Sequence, residues 1–151
     1  MTLDFDFLLL VVWPILVTVF TQLTKVAIRA VQTGKFETNE YFAWGKFPSS
    51  HIALVTSLAT VVALVVGVQS VEFAMALALA VLVTRDALGL RMFVENHAKA
   101  INVLRTLLPA SKQRLVPKQV DRVGHTLLEA LGGAAFGLGL TLIFYAIIAG
   151  F

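Results

Sequence analysis

A chain of 151 residues with 58% hydrophobic and only 14% charged residues lacks the charged surface that a soluble domain of this size needs. The absence of cysteine excludes disulfides, a thiolate nucleophile and a cysteine metal site. The net charge of +3 comes from basic residues that flank apolar segments, which indicates contact with anionic lipid headgroups and no nucleic-acid partner. We therefore predict an integral membrane protein.

The first half of the chain predicts two membrane helices, because a hydrocarbon core of about 30 Å requires about 20 apolar residues in a helix. We place the first helix at residues 5–31, where the acidic flank argues against a secretory signal. A polar loop follows at residues 32–45. The second helix is predicted at residues 48–67, with Pro48 in its first turn. The short link at residues 68–70 predicts an antiparallel neighbour.

The second half predicts two more helices. The third begins near residue 71, and its helical pattern continues past the apolar stretch as an amphipathic extension towards Pro109. Residues 110–124 are basic and polar and are predicted as a loop. The fourth helix is predicted at residues 125–148. The fold class is therefore all-α, an integral membrane bundle of about four transmembrane helices in one domain, residues 1–151.

Charge is distributed unequally between the two ends of these helices. All 12 basic residues lie at one end of these helices, four from the last turns of helix one to Lys46 and eight from Arg85 to Arg122. The opposite end holds Asp4, Asp6 and Glu72. The positive-inside rule therefore predicts a multi-pass protein of the inner cell membrane, with both basic segments in the cytoplasm.

Several polar groups that are distant in sequence converge at the basic face if neighbouring helices run antiparallel. Charged groups at membrane depth are costly unless they are paired or face a wet cavity, so their convergence indicates a functional site. The predicted site residues are Lys25, Ser49, Ser50, His51, Arg85, Asp86, Arg91, His125 and Glu129.

Their chemistry favours phosphoryl transfer. His125 and Glu129 are four residues apart, so we expect them on one helical face, with the carboxylate holding the Nδ1–H group and leaving Nε2 as nucleophile. Ser49 and Ser50 precede His51 at a predicted helix N-terminus, where hydroxyl and N–H groups can bind an anion.

The basic residues complete this prediction. Lys25, Arg85 and Arg91 would bind a phosphate, which His125 attacks in line while His51 protonates the leaving alcohol.

The fourth helix also carries a pair of small residues. Gly133 and Gly137 are four residues apart, a spacing typical of close helix packing in membranes. The glycine-rich fourth helix is also where we expect contact in a possible homo-oligomer.

These residues resemble the divergent family related to type-2 phosphatidic acid phosphatases and vanadium-dependent haloperoxidases. The matching motifs occur in the family order and span nearly the whole chain. They are Gln22-x-x-Lys25, Gly45-x-x-Pro48-Ser49-Ser50-His51, Asp86-Ala87-x-Gly89-x-Arg91, Ala100-x-Asn102 and Gly124-His125-x-x-x-Glu129-x-x-x-Gly133.

The resemblance implies roles for the motif residues. His125 would form a phosphohistidine and be oriented by Glu129, which stands where the wider superfamily has an aspartate. His51 would protonate the leaving group, and Lys25 would bind phosphate. The superfamily's arginine motifs are missing, and Arg91 or Arg122 is the candidate substitute.

We therefore expect a membrane lipid-phosphate phosphatase, hydrolysing a phosphoric monoester or diphosphate at the cytoplasmic face, with no cofactor and no metal. Its partners would be a lipid-phosphate substrate and membrane lipids. The enzymatic alternative is a metal-dependent phosphatase in which Asp86, Glu129, His51 and His125 hold a hard cation. The non-enzymatic alternative is a lipid-binding or scaffold subunit.

Overall fold

The computed structural model describes residues 5–34 and 47–150. This part of the chain is helical, with no strand, which confirms the predicted all-α class. Most of the predicted loop at residues 32–45, including Gly45 of the second motif, lies outside the described residues. The helices are α1 (Phe5–Thr33), α2 (Ser50–Val65), α3 (Val71–Arg85), α4 (Arg91–Leu107), α5 (Ala110–Gln113) and α6 (Leu127–Ala149).

Three stretches are long and apolar enough to cross a membrane, and they end with α1, α4 and α6. They comprise Leu9–Thr33, Val71–Leu107 and Leu127–Ala149, while the shorter apolar helix α2 covers Ser50–Val65. The second of these stretches combines α3 and α4 through a π-helical turn at Asp86–Leu90. The prediction of one long third helix is therefore confirmed, although the sequence pattern gave no sign of the π turn.

Helix α2 lies at the centre and packs against α1, α3 and α6. Its apolar residues form two buried clusters, one around Ile52 and one around Ala59. Polar groups inside the bundle satisfy one another, as an apolar environment requires. Thr141 accepts from the indole Nε1 of Trp13 (3.1 Å), and its hydroxyl lies 2.9 Å from that of Ser57.

Glycines on α6 allow its close approach to α2. A Cβ atom on Gly133 would overlap the carbonyl oxygen of Ser49, and one on Gly137 would lie 2.5 Å from the carbonyl oxygen of Ala53. The predicted role of these two glycines in helix packing is therefore confirmed, within one chain. The face that carries them is covered by α2, so the homo-oligomer remains a prediction for the other faces of α6.

Two helix starts differ from the prediction because polar side chains cap the helices later. Helix α2 begins at Ser50, since Ser49 has extended backbone angles and its side chain accepts from the N–H of Ile52 (3.5 Å). Pro48 therefore precedes the cap and is not in the first helical turn. Helix α6 begins at Leu127, after the N-cap residue Thr126, so His125 lies outside the helix that was predicted to contain it.

Candidate functional site

A cavity of about 520 Å³ opens where the end of α1, the polar face of α4 and the first turn of α6 meet. Among the described lining residues, the charged groups are more often basic than acidic, and apolar side chains such as Ile28 and Met92 lie beside them. The polar lining residues are Lys25, Arg29, Gln32, Glu95, Lys99, Arg122, His125, Thr126 and Glu129.

His125 is buried in the wall of this cavity and is held by its backbone. Its N–H group donates to the carbonyl oxygen of Ala87 in the π turn (3.2 Å). This acceptor is available because the N–H group of Arg91 reaches back five residues to Asp86 rather than four to Ala87. The π turn therefore connects the long third helix to the proposed nucleophile, and π turns are often found at functional sites.

The segment before His125 is fixed by a carboxylate that sequence reasoning missed. Oε2 of Glu95 accepts from the backbone N–H groups of Val123 (3.3 Å) and Gly124 (3.1 Å), while Oε1 pairs with Lys99 at 2.5 Å. Gly124 packs against Met92, whose sulfur would lie 2.9 Å from a Cβ atom at that position. The spacing of four residues between Glu95 and Lys99 is the sequence signal for this pair.

Loop residues further from the cavity are also attached to α4. The side-chain amide of Asn102 donates to the carbonyl oxygen of Gln119 (3.0 Å), and its oxygen accepts from the N–H group of Gln119 (2.9 Å). Nε of Arg105 donates to the carbonyl oxygen of Val116 (2.8 Å). Asn102 of the fourth motif therefore shapes the loop and does not line the cavity.

The two histidines and two of the predicted basic residues share one electrostatic environment. The charges that act on His125 belong to Glu129, Lys25, His51 and Arg91. His51, in the first turn of α2, is exposed and interacts electrostatically with Arg91, Lys25 and Asp86. The structure thus brings together groups from four elements.

Burial lowers the pKa of His125 below its usual value of 6.5, and the charges of Lys25, His51 and Arg91 act in the same direction. The charge of Glu129 opposes this shift. The neutral form of His125, which has a nucleophilic lone pair, is therefore favoured at neutral pH.

Glu129 does not have the hydrogen bond predicted for it. Its Oε2 accepts from the backbone N–H of Thr126 (2.8 Å), while the Thr126 hydroxyl accepts from the N–H of Glu129 (3.3 Å). This reciprocal pair is a capping box at the start of α6. No described residue hydrogen-bonds to Nδ1 of His125. The expected Glu129–His125 hydrogen bond is therefore wrong, because His125 precedes the helix and the carboxylate is used to cap it.

The remaining predicted residues, which are Asp86, Ser49, Ser50 and Arg85, do not all lie near the histidines. Asp86 forms an ion pair with Arg91 (2.6 Å) and so holds a guanidinium near both histidines. Ser49 and Ser50 are buried at the start of α2, where Ser49 acts as the cap. Arg85 is exposed and lies beside Val81 and Thr84, in a shallow depression separate from the cavity. We therefore leave Arg85 out of the proposed site.

Comparison with known proteins agrees with this arrangement of motifs. The family described as "Divergent PAP2 family" matches residues 8–140. The chain belongs to the divergent PAP2 family. It is also 32% identical over 136 residues to the uncharacterized membrane protein YuiD of Bacillus subtilis (strain 168), covering 83% of this chain and 86% of YuiD. No solved structure matches. The family resemblance inferred from the motifs is thereby confirmed, and the molecule is a membrane protein of the divergent PAP2 family.

The metal-dependent alternative for this family member requires several ligands at one point. Within residues 5–34 and 47–150, no group of three or more histidine, aspartate or glutamate side chains is arranged to hold a metal ion. Two of the four residues suggested as ligands are used otherwise, since Asp86 pairs with Arg91 and Glu129 caps α6. The geometry therefore gives this alternative no support.

Four charged cavity residues were not among the predicted site residues, although Arg122 had been named as a candidate substitute for the superfamily's arginines: Arg29, Glu95, Lys99 and Arg122. Lys25, Arg29 and Gln32 are spaced four and three residues apart, so one face of α1 presents all three to the cavity. Arg122 reaches the cavity from the loop before α6. The helical spacing on α1 was a usable signal, whereas the positions of Lys99 and Arg122 depend on how the loop folds against α4.

Proposed function

We propose that this chain is a membrane lipid-phosphate phosphatase that acts at the cytoplasmic face through a phosphohistidine on His125. The observation that carries the proposal is that a buried imidazole lies within electrostatic reach of His51, Lys25 and Arg91. Two imidazoles and two cations are the groups that phosphoryl transfer to and from a histidine requires. Family membership supports a phosphatase-related role.

In the proposed reaction, Lys25 and Arg91 bind the phosphate oxygens and neutralise their charge. Because Nδ1 of His125 is buried, we assign the nucleophile to Nε2. Nε2 attacks phosphorus as the bond to the leaving alcohol oxygen breaks, and protonated His51 gives its proton to that oxygen. Neutral His51 then takes a proton from the water that attacks phosphorus, the P–N bond breaks, and inorganic phosphate leaves with the His125 imidazole and protonated His51 restored.

The location of the cavity supports a lipid substrate. It lies at the ends of membrane helices, and Ile28, Phe47 and Met92 line it together with the charged groups. A phosphorylated headgroup can therefore bind to the cations while its chains remain among the apolar helices. The distribution of all 12 basic residues favours the cytoplasmic face for this end of the bundle.

The test is phosphate release from phosphatidate and prenyl phosphates by the full-length protein in detergent micelles. We expect His125→Ala to lose all turnover above background and His51→Ala to be partly restored by a more acidic leaving alcohol. His97→Ala is the matched control, because His97 is exposed on α4 and does not line the cavity. Labelled phosphate should be trapped on the wild-type protein as an acid-labile adduct. Full turnover by His125→Ala would refute the mechanism.

Phosphate release measured with and without a chelator distinguishes the proposed mechanism from the metal-dependent alternative. Under our proposal a chelator leaves phosphate release unchanged, and Asp86→Asn acts only by loosening Arg91. If metal were required, the chelator would abolish release and Asp86→Asn would be as severe as His125→Ala.

A non-catalytic lipid-binding role is the second candidate. It is favoured by one observation, that no described group hydrogen-bonds to Nδ1 of His125, since histidine nucleophiles and bases are normally oriented by such a partner. Binding of phosphatidate vesicles without any phosphate release or trapped phosphate would support it.

A further inference from the structure

We infer that α4 binds a second copy of this chain through the apolar face that it turns away from the cavity, so that two protomers pair side by side as a parallel dimer. The residues of this face recur at alternating spacings of three and four, and we call them the α4 stripe: Leu90, Phe93, His97, Ala100, Leu104 and Leu107. The stripe lies outside the proposed phosphatase site, and the inference does not depend on that activity.

The α4 stripe is exposed because the loop before α6 occupies the other side of the helix. Asn102 and Arg105 bind the backbone of that loop, and Glu95 binds the segment that leads to His125. Within residues 5–34 and 47–150, four large side chains of the stripe keep most of their surface free, with exposed fractions of 62–75%: Leu90, Phe93, Leu104 and Leu107. The polar side of α4 is thus occupied, and its apolar side is the free one.

Most of the stripe extends beyond the hydrocarbon core of the membrane. Helix α6 has 23 residues and is about 34 Å long, so it fills a core of about 30 Å by itself. The start of α6 is level with the π turn, because the N–H group of His125 donates to the carbonyl oxygen of Ala87. Helix α4 continues for 17 residues past this turn, a length of about 25 Å. Headgroups extend only about 5–8 Å from the core, so Leu104 and Leu107 would face water in a single chain.

Helix α4 also runs beside α1, which directs the stripe sideways. Two successive turns of each helix line the same cavity, residues 25–32 of α1 and residues 92–99 of α4. The stripe is on the opposite side of α4 from these lining residues. It therefore faces outwards in the plane of the membrane, which is the direction from which a second copy approaches.

The spacing of the stripe matches the seam of a two-stranded helical pair, in which apolar residues alternate at intervals of three and four. Copies of this chain share one orientation in the membrane, so their α4 helices can pair only in parallel, with each stripe residue beside its counterpart. His97 is the one polar member of the stripe. A single polar residue in such a seam specifies the register, and an alanine there leaves the stripe apolar.

The surface available on α4 is sufficient for a dimer. Six exposed apolar side chains lie on the stripe or directly beside it: Leu90, Phe93, Val94, Ile101, Leu104 and Leu107. At roughly 100 Å² for each side chain, two copies can bury up to about 1,200 Å² between them. That area is at the lower end of the range of roughly 1,200–2,000 Å² for stable protein interfaces.

The absence of cysteine makes this pairing directly testable, because a single introduced cysteine can form a disulfide only with a second chain. Leu104→Cys and Thr106→Cys place the thiol at nearly the same height but on opposite sides of α4, and both positions are exposed. The full-length variants are oxidised in native membranes with copper phenanthroline, and linked dimer is measured by non-reducing electrophoresis. We expect at least about fivefold more linked dimer for Leu104→Cys, since a disulfide requires the two Cβ atoms to lie within about 4.5 Å of each other.

Charged substitutions give a second measurement that does not depend on disulfide formation. Leu104→Lys with Leu107→Lys places like charges in the seam, so we expect a monomer by light scattering in detergent micelles, where the wild-type protein is a dimer. Thr106→Lys is the matched control and should leave the dimer intact. Both leucines are exposed within one chain, so circular dichroism should show the same helix content in the monomer.

Three outcomes would overturn the inference. The first is equal linking of the two cysteine variants or none in either, in which case lipid, another protein or another segment of the same chain covers the stripe. The second is a dimer that survives the lysine substitutions. The third is linked dimer for Leu142→Cys, on an exposed face of α6, without linking at Leu104→Cys, which would move the contact to α6.

Discussion

The backbone N–H group of Ser49 donates a hydrogen bond of 3.0 Å to the carbonyl oxygen of Glu129. This bond joins the cap of α2 to the first turn of α6, so the segments that carry His51 and His125 are fixed to one another. Close packing of the same two helices reinforces it, because a Cβ atom on Gly133 would overlap the carbonyl oxygen of Ser49. The relative position of the two histidines therefore depends on main-chain contacts between two helix ends.

Replacing Gly133 should test this dependence. In Gly133→Ala the added methyl group meets backbone rather than a flexible side chain, so we expect a loss of about 1–3 kcal/mol in unfolding free energy. Gly139→Ala is the matched control, since nothing described lies within 4 Å of a Cβ atom there, and it should be neutral or slightly stabilising. Thermal unfolding in detergent measures both. Equal unfolding temperatures would contradict the packing described above.

Substitutions of Glu129 should separate capping from orientation of the imidazole. Glu129→Ala and Thr126→Ala each remove one half of the capping box and should cost about 0.5–2 kcal/mol. Glu129→Gln keeps an acceptor for the Thr126 N–H and should cost less. Unfolding and phosphate release are measured together. If Glu129→Gln unfolds normally but releases phosphate as poorly as His125→Ala, the carboxylate acts on the imidazole and capping is not its main role.

Glu95 should matter for the geometry of His125 without touching it. In Glu95→Ala, the N–H groups of Val123 and Gly124 lose their shared acceptor, and the segment that leads to His125 loosens. We expect kcat to fall by about tenfold or more, because small displacements of reacting groups are costly. Glu95→Gln retains an oxygen acceptor and should recover much of the rate. Glu72→Ala, in the first turn of α3 and not in the cavity lining, is the control, and an equal fall there would rule out a specific effect.

The rate should depend on pH in a direction fixed by the environment of His125. Burial lowers the pKa of this imidazole below 6.5, so protonation occurs at lower pH than for a free histidine. Since the neutral form attacks phosphorus, kcat/KM should fall on the acid side only below pH 6.5. Glu129→Gln removes a charge that raises this pKa, so its acid limb should move to still lower pH. An acid limb above 6.5, or a shift in the other direction, would contradict the assignment.

The positive-inside rule predicts that both termini lie outside the cytoplasm. Four crossings return the chain to the face on which it began, and every basic residue lies towards the other end of the helices or in the segments that connect them there. Reporter fusions at Phe151 should therefore be active only as non-cytoplasmic reporters. A cytoplasmic reporter at the C-terminus would mean an odd number of crossings and would separate His51 from His125.

The amino-acid sequence by itself determined that the protein lies in a membrane, which fold class it has and to which family it belongs. Uncharged apolar stretches of about 20 residues have few alternatives to membrane helices, and the motifs around Lys25, His51 and His125 are specific in combination. Helical spacing was also enough to predict the packing role of Gly133 and Gly137. These properties follow from short-range patterns, which a linear sequence contains in full.

Tertiary structure alone decided which polar groups share the site. The Glu129 carboxylate accepts a hydrogen bond from the backbone N–H group of Thr126 and so caps its own helix, instead of binding the imidazole of His125. Arg91 reaches the histidines through its ion pair with Asp86, whereas Arg85 points elsewhere, although the two arginines are only six residues apart. Arg122 and Glu95 meet at the cavity because the loop before α6 folds against α4. The partner that each of these side chains binds depends on how distant segments pack together, and residue spacing in the sequence does not determine it.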